Sequence, residues 1–268
     1  MQPVLRIVGL SLFVLLAACT ERPEAPAPIA APPPTVAASA VDYRAVVAMT
    51  SRLAADREQD ARRKPAEVLA FFGVQPGMAA LDLFSGGGYY SELLAAVVGP
   101  TGRVVAHNNS AYLNGLKEQH AQRFGDPQRL PNVERLEAEG NALELEPEQF
   151  DFVLMSNVYH DVYYVDPANG WPAIDGRRLL AEVFASMKPG ATLGLTDHAA
   201  APGSPAETGG TLHRIDPELV KRDFAAAGFV FDAESDVLRN AGDDLTKGMF
   251  DPTVRGQTDR FVLRFRKP

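Results

Sequence analysis

The sequence predicts an α/β protein built on a doubly wound, mostly parallel seven-stranded sheet with an N-terminal helical extension. Three observations predict it. Apolar runs alternate with helix-like stretches from Met78 to Phe265. The runs are continuously apolar, as strands buried on both faces must be. A glycine turn, Gly86-Gly87-Gly88, joins the first strand to the helix after it.

In chain order, Val46, Val47, Met49, Leu53 and Ala54 recur on a helical period within Val41 to Lys64, which predicts a helix laid against the domain. A second helix spans Pro65 to Phe72 and stops at Gly73 and the turn Gln75-Pro76-Gly77. Strands are expected at Met78–Phe84, Arg103–Ala106, Val133–Glu137, Phe150–Met155, Ala191–Thr196, Phe229–Ala233 and Phe261–Phe265. Helices are expected at Tyr89–Val98, Ala111–Phe124, Arg177–Met187 and Pro217–Ala227. In such sheets ligands bind beyond the carboxyl ends of the strands, so the loops there are the place to look for chemistry.

The 268 residues, 46% of them hydrophobic, suffice for one core plus appendages. A formal net charge of -8 and the absence of a Lys/Arg cluster along the chain argue against nucleic acid as a partner. The first residues carry Arg6 and then an apolar run, Ile7 to Ala17, which is too short to cross a membrane and suits a signal-peptide core. Leu16-Ala17-Ala18-Cys19 resembles the bacterial lipoprotein box, and Cys19 is the only cysteine. That placement predicts removal of residues 1–18 and lipidation of Cys19, and Thr20 points to the outer membrane. A Pro/Ala-rich tether, residues 19–40, would hold the domain up to about 60 Å from its anchor at ~3.1 Å per residue. Residues 41–76 then form the N-terminal helices and 77–268 the main domain.

The stretch Leu81 to Ser91, "LDLFSGGGYYS", reads as strand, glycine turn and helix start, a geometry that turns backbone N–H groups and a positive helix end toward a ligand. Gly73–Met78 precedes this strand, Met187-Lys188-Pro189-Gly190 precedes a later one, and Asp151-Phe152-Val153-Leu154 lies between. In that order the chain resembles the class I S-adenosylmethionine-dependent methyltransferases over about Pro65 to Phe265. It looks closest to a subgroup of exported predicted methyltransferases, through Gly86–Gly88, Asn157–Asp161, Thr211–Asp216 and Thr258–Leu263. The resemblance implies a reversed last strand, S-adenosylmethionine as cofactor and a small-molecule substrate.

Carried over residue by residue, it implies that Asp82, Ser85, Gly86, Gly87, Gly88 and Asn157 bind the cofactor. Phe84 stands where the family's first glycine would be. Asn108 stands where a carboxylate normally takes the ribose hydroxyls, and Asn141-Ala142 where an Asp often meets the adenine. An amide accepts less strongly than a carboxylate, a loss of about 1–2 kcal/mol at the ribose.

His107, His160, His198 and His213 fall just past predicted strands or in the loops that follow, and are expected to converge on one sheet edge, whereas His120 is expected on a solvated helix surface. His160 is the candidate base, oriented by Asp161 or Asp197, with His198 beside it. No compact metal motif is present, so no metal is assigned; His160, Asp161, Asp197, His198 and His213 as ligands of a metal-assisted hydrolase are an alternative, as is an envelope-tethered binding protein. Tyr159, Tyr163, Tyr164 and Trp171 are candidates to wall a substrate pocket. Pro167–Gly176 and Ala199–Thr208 read as irregular, mobile segments, and the dense charges from Asp243 to Arg260 as a salt-bridged turn.

Overall fold

The computed structural model describes residues 41–268. The expected signal peptide, Cys19 and the whole tether, residues 1–40, lie outside the described residues.

The strands are β1 (Ala79–Leu83), β2 (Arg103–Asn108), β3 (Val133–Glu137), β4 (Phe150–Ser156), β5 (Met187–His198), β6 (Val230–Ser235) and β7 (Arg260–Arg266). They form one sheet in the order β3-β2-β1-β4-β5-β7-β6. Only β7 runs against the rest, pairing antiparallel with both β5 and β6. The expected sheet and its reversed last strand are therefore present.

Alternate side chains of each central strand feed two cores. Leu81, Val153, Met155, Leu193 and Leu195 point to one face. There α8 (Gly176–Ser186) and α10 (Pro217–Ala226) bury Leu179, Val183 and Phe224. Ala80, Phe152 and Leu154 point to the other, against α4 (Pro65–Phe72) and α5 (Tyr89–Val98). Asp175 and Asp216 cap α8 and α10 by accepting from the backbone N–H groups of Arg178 and Glu218, which satisfies donors the first turn leaves free.

The N-terminal region differs from the single long helix expected. It breaks into α1 (Tyr43–Val47), α2 (Ala54–Arg57) and α3 (Asp60–Arg63) before α4. Arg52 is the cause: its buried guanidinium reaches back to the Val47 carbonyl and forward to both oxygens of Asp60. A continuous helix would carry it away from those partners. The helix expected over Ala111–Phe124 likewise divides into α6 (Ser110–Gly115) and α7 (Lys117–Phe124). Ala199–Thr208 runs into an unexpected helix, α9 (Glu207–Leu212), whose Gly209 and Gly210 allow backbone contact with the turn at Tyr159–Tyr163. Pro167–Gly176 is held by Trp171, whose indole N–H donates to the Asp161 carbonyl.

α4 is part of the sheet's packing rather than an appendage. The Phe72 ring lies where a Cβ on Gly194 of β5 would sit, 2.7 Å from its nearest atoms. Gly194→Ala is expected to destabilise the protein by about 1–3 kcal/mol through overpacking, read as a lower midpoint in urea denaturation with unchanged slope.

Candidate functional site

The loop after β1 is fixed from behind by the end of β2. Phe84, in the position of the missing glycine, adopts a φ of 53°, in the left-handed region that glycine normally serves. Its N–H donates to His107 Nδ1 at 3.2 Å, and its ring packs edge-on against the same imidazole. His107 Nε2 meets the Ala138 carbonyl at 2.9 Å. Burial pushes this imidazole down to about 4, so it is neutral and able to accept from Phe84.

Asn108, only 1% exposed, clamps the triglycine turn. Its Oδ1 accepts from Gly86 N at 2.9 Å, and its Nδ2 donates to Ser85 Oγ at 2.9 Å and to the Gly86 carbonyl at 3.0 Å. The side chain expected to face a ribose is thus committed to the loop itself. His120 is not a surface residue either: it is buried, with Nε2 at 2.6 Å from the Gly86 carbonyl. Arg123 of α7 donates to the Gly87 carbonyl and pairs with Asp56 and Glu92. Gly88 serves packing, because a Cβ there would strike Arg123 and Phe124. α7 therefore covers the back of the loop.

The front opens on a cleft of about 390 Å³ at the carboxyl ends of β1, β4 and β5. Of the expected cofactor residues, Asp82, Ser85, Gly86, Gly87 and Asn157 line it; Gly88, Asn108, Asn141 and Ala142 do not. Asn141 holds the segment before α8, its Oδ1 accepting from Asp175 N at 2.8 Å and its Nδ2 donating to the Ala173 carbonyl at 2.9 Å. Burial pushes the Asp82 carboxyl up to about 7 even though the Ser91 hydroxyl donates to it at 2.6 Å. The fit to S-adenosylmethionine is therefore good for the amino-acid end: a carboxyl for the ammonium, two glycines whose backbone a ligand can approach, and polar groups at Ser156 and Asn157. The side chains expected at the nucleoside are occupied in holding loops.

Three of the four strand-end histidines converge. The His160 ring centroid lies 5.8 Å from His198 and 5.4 Å from His213, while His107 sits apart under the glycine loop. His160 is 2% exposed and lies outside the cleft wall. Its Nδ1 bonds Asp197 Oδ1 at 2.6 Å and its Nε2 lies 3.3 Å from Asp161 Oδ1. Burial opposes the charged ring, but Asp197 and Asp161 together outweigh it and raise the imidazole to about 9. At neutral pH it is an imidazolium between two carboxylates and has no lone pair for a base, which corrects the expectation for His160, Asp161 and Asp197.

Asp161 also takes the Tyr112 hydroxyl at 2.8 Å and faces His213 Nδ1 at 3.2 Å. Ligand atoms of His160, Asp161 and His213 fall within 4.8 Å of one another, so this trio could hold a divalent cation in place of the His160 Nε2 proton. His198 alone of the group lines the cleft. Burial, then the charges of His160 and Arg260, hold its pKa well below the usual imidazole value, so it is neutral.

The aromatic residues expected to wall a pocket, Tyr159, Tyr163, Tyr164 and Trp171, lie outside the cleft wall. Tyr159 and Tyr163 both donate to Asp223 of α10, and Tyr164 donates to Asp166. What sequence reasoning missed is basic and aromatic: Arg62, Arg63, Tyr89, Tyr90, Arg255 and Arg260 line the same cleft. The signal available was the run Arg62-Arg63-Lys64, too short to mark a nucleic-acid surface, and Arg255 and Arg260 near the C-terminus, far apart in sequence and joined only by the fold. The expected salt-bridged turn instead sends its acids elsewhere, Asp243 to the buried Arg214 and Asp259 to Arg239.

The His160 pair makes stability pH-dependent. The group binds its proton more tightly folded than unfolded, so its contribution is full below about pH 6.5 and is lost as pH rises through about 9. Urea denaturation is expected to show stability falling by up to about 3 kcal/mol from this group across that window, and His160→Gln to flatten the decline.

Residues 81–195 match the methyltransferase domain family. Solved structures share the fold: a methyltransferase from Aquifex aeolicus that depends on S-adenosylmethionine is 21% identical, with 85% of this chain and 100% of that one covered and a TM-score of 0.54. An S-adenosylmethionine-dependent methyltransferase from Mesorhizobium loti is 14% identical over 78% of this chain and 99% of that one, with a TM-score of 0.54. The cyclase SpnF, 19% identical over 80% of this chain and 81% of that one, has a TM-score of 0.51. The methyltransferase domain match at residues 81–195 and the fold shared with these structures agree with the resemblance to class I S-adenosylmethionine-dependent methyltransferases read from the sequence.

Proposed function

We propose that this protein methylates a small-molecule acceptor in the cleft at the carboxyl ends of β1, β4 and β5, and does so at the cell envelope, tethered through a lipid on Cys19. The supporting observation is that Asp82, Ser85, Gly86, Gly87 and Asn157, drawn from two strand ends, line one open cleft. S-adenosylmethionine supplies an electrophilic methyl group on a sulfonium. Asp82 would take the ammonium of its amino-acid end, and the Gly86-Gly87 backbone would let that end approach without a Cβ in the way.

The cleft is poor in strong bases. His198 is held neutral with a depressed basicity, and the Asp82 carboxyl is half-protonated near neutrality. Rate enhancement then comes from orienting an acceptor that is already nucleophilic, the term in which positioning contributes most. His160, Asp161 and Asp197 act as a rigid strut: the turn after β4 is bonded to β5 through the Asp197 carboxylate, which also accepts from His160 N at 2.9 Å. His198, the next residue on β5, is thereby fixed beside the acceptor.

Titration calorimetry of the purified protein with S-adenosylhomocysteine is the test. Binding is expected to weaken on acidification through about pH 7 as Asp82 protonates, and Asp82→Asn is expected to lose about tenfold in affinity and most of that pH dependence. No heat and no thermal shift at millimolar ligand would reject the reading. For the anchor, Cys19→Ser is expected to move the protein from the membrane to the soluble envelope fraction; an unchanged membrane fraction would reject lipidation there.

A further inference from the structure

The four arginines of the cleft have no assigned use. Arg62 and Arg63 end α3, while Arg255 and Arg260 come from the loop before β7 and its first residue. Among the described residues none of the four makes an ion pair with a carboxylate, in a chain whose formal net charge is -8. Two of the acids near them in sequence are taken by other cations, Asp60 by Arg52 and Asp259 by Arg239.

Contacts also position Arg62, Arg63 and Arg260. Arg63 stacks over the Tyr89 ring, 4.5 Å from its centroid, and donates Nε to Gln59 Oε1 at 3.0 Å. Arg260 donates to the Arg62 carbonyl, tying the C-terminal strand to the N-terminal helices. A Cβ on Gly256 would lie 2.8 Å from Arg62 Nη1, so the loop passes close over that guanidinium. Burial, followed by the charges of Arg63 and Arg62, lowers the Arg260 pKa, the mark of like charges brought together.

Four guanidinium groups drawn to one cavity without a carboxylate partner repel one another, and an anion among them relieves that repulsion. The cofactor cannot neutralise all four, since it brings a single carboxylate. Its sulfonium and ammonium against one carboxylate leave it with a net positive charge, which the arginines repel, and the one carboxyl on the wall, Asp82, is only half-ionised near neutrality. Planar guanidiniums with donors left over instead match phosphate and carboxylate oxygens.

We propose that the cleft binds a small polyanion, bearing a phosphate or several carboxylates, through Arg62, Arg63, Arg255 and Arg260, and that this polyanion is the methyl acceptor. The identification as acceptor rests on the methyltransferase reading above; the anion site rests on the arginines alone. A polyanion also supplies what the cleft lacks, a nucleophilic oxygen that needs no base: an anionic oxygen would form the new O–CH3 bond as the sulfonium S–CH3 bond breaks, the electron pair staying on sulfur and neutral-sulfur S-adenosylhomocysteine leaving, with no proton to remove. Filling the site should favour the cofactor by cancelling the repulsion, a coupling that S-adenosylhomocysteine, which has no sulfonium, should feel less.

Inorganic pyrophosphate serves as the probe, in calorimetry with and without S-adenosylhomocysteine or S-adenosylmethionine. Pyrophosphate is expected to bind with an affinity that falls as salt rises. The double variant Arg62→Gln/Arg255→Gln, altered at two exposed positions, is expected to bind it at least tenfold more weakly with an unchanged melting temperature and S-adenosylhomocysteine affinity within twofold. Bound pyrophosphate should tighten S-adenosylmethionine more than S-adenosylhomocysteine. No pyrophosphate binding, equal binding by the double variant, or mutual exclusion of pyrophosphate and S-adenosylhomocysteine would overturn the proposal. Pyrophosphate binding without any binding of S-adenosylhomocysteine would keep the anion site and reject the methyltransferase reading.

Discussion

The cleft depends on how one amide is used. A glycine turn is free to move until something holds it, and in this protein Asn108 accepts from the Gly86 N–H while donating to Ser85 and to the Gly86 carbonyl. An amide does both at a buried position; a carboxylate would accept the first bond, could pair with Ser85 only if the hydroxyl turned to donate, and would repel the Gly86 carbonyl. His107 fixes the residue before the turn by the same logic, accepting from Phe84 N with one ring nitrogen and meeting the Ala138 carbonyl with the other. Because the loop is gripped from the β2 side, its other face is left to the cleft.

Charge does the remaining positioning. Arg123 links α7, α5 and α2 through Glu92 and Asp56, so the segment before the domain is tied to the glycine loop by a buried cation. Arg214 and Asp243, whose side chains are both covered, fasten the loop that leads to β7. The desolvation cost of such burial is offset only when every partner is present, so these regions should respond sharply to loss of one member. The result is that arginines separated by about two hundred residues face one cavity while the chain as a whole is acidic.

The architecture was legible because it follows from periodicity. Buried strands such as Phe150–Ser156 announce themselves as apolar runs, and glycine with proline marks where α4 must stop. Five of the nine expected cofactor positions line the cleft for a similar reason: strand ends and glycine turns fix where backbone goes. Side-chain roles were less legible. Whether Asn108 turns toward a ligand or back to its own loop, and whether His160 meets one carboxylate or two, depends on partners distant in sequence. His120 reads as solvated because its helix is polar, with no sequence sign that α7 lies over the turn. The strained Phe84 was visible as a departure from the glycine pattern, and its positive φ shows the backbone keeping the shape while the aromatic ring adds packing against Tyr112 and Trp171.

Substituting Asn108 by Asp, with S-adenosylhomocysteine affinity and melting temperature measured on the same protein, separates a loop clamp from a ribose ligand. A clamp loses its two donated bonds, so the melting temperature should drop and the affinity should stay the same or weaken. Tighter binding on a protein of unchanged stability would mean that the side chain faces the nucleoside, and that something other than Asn108 holds the glycine loop.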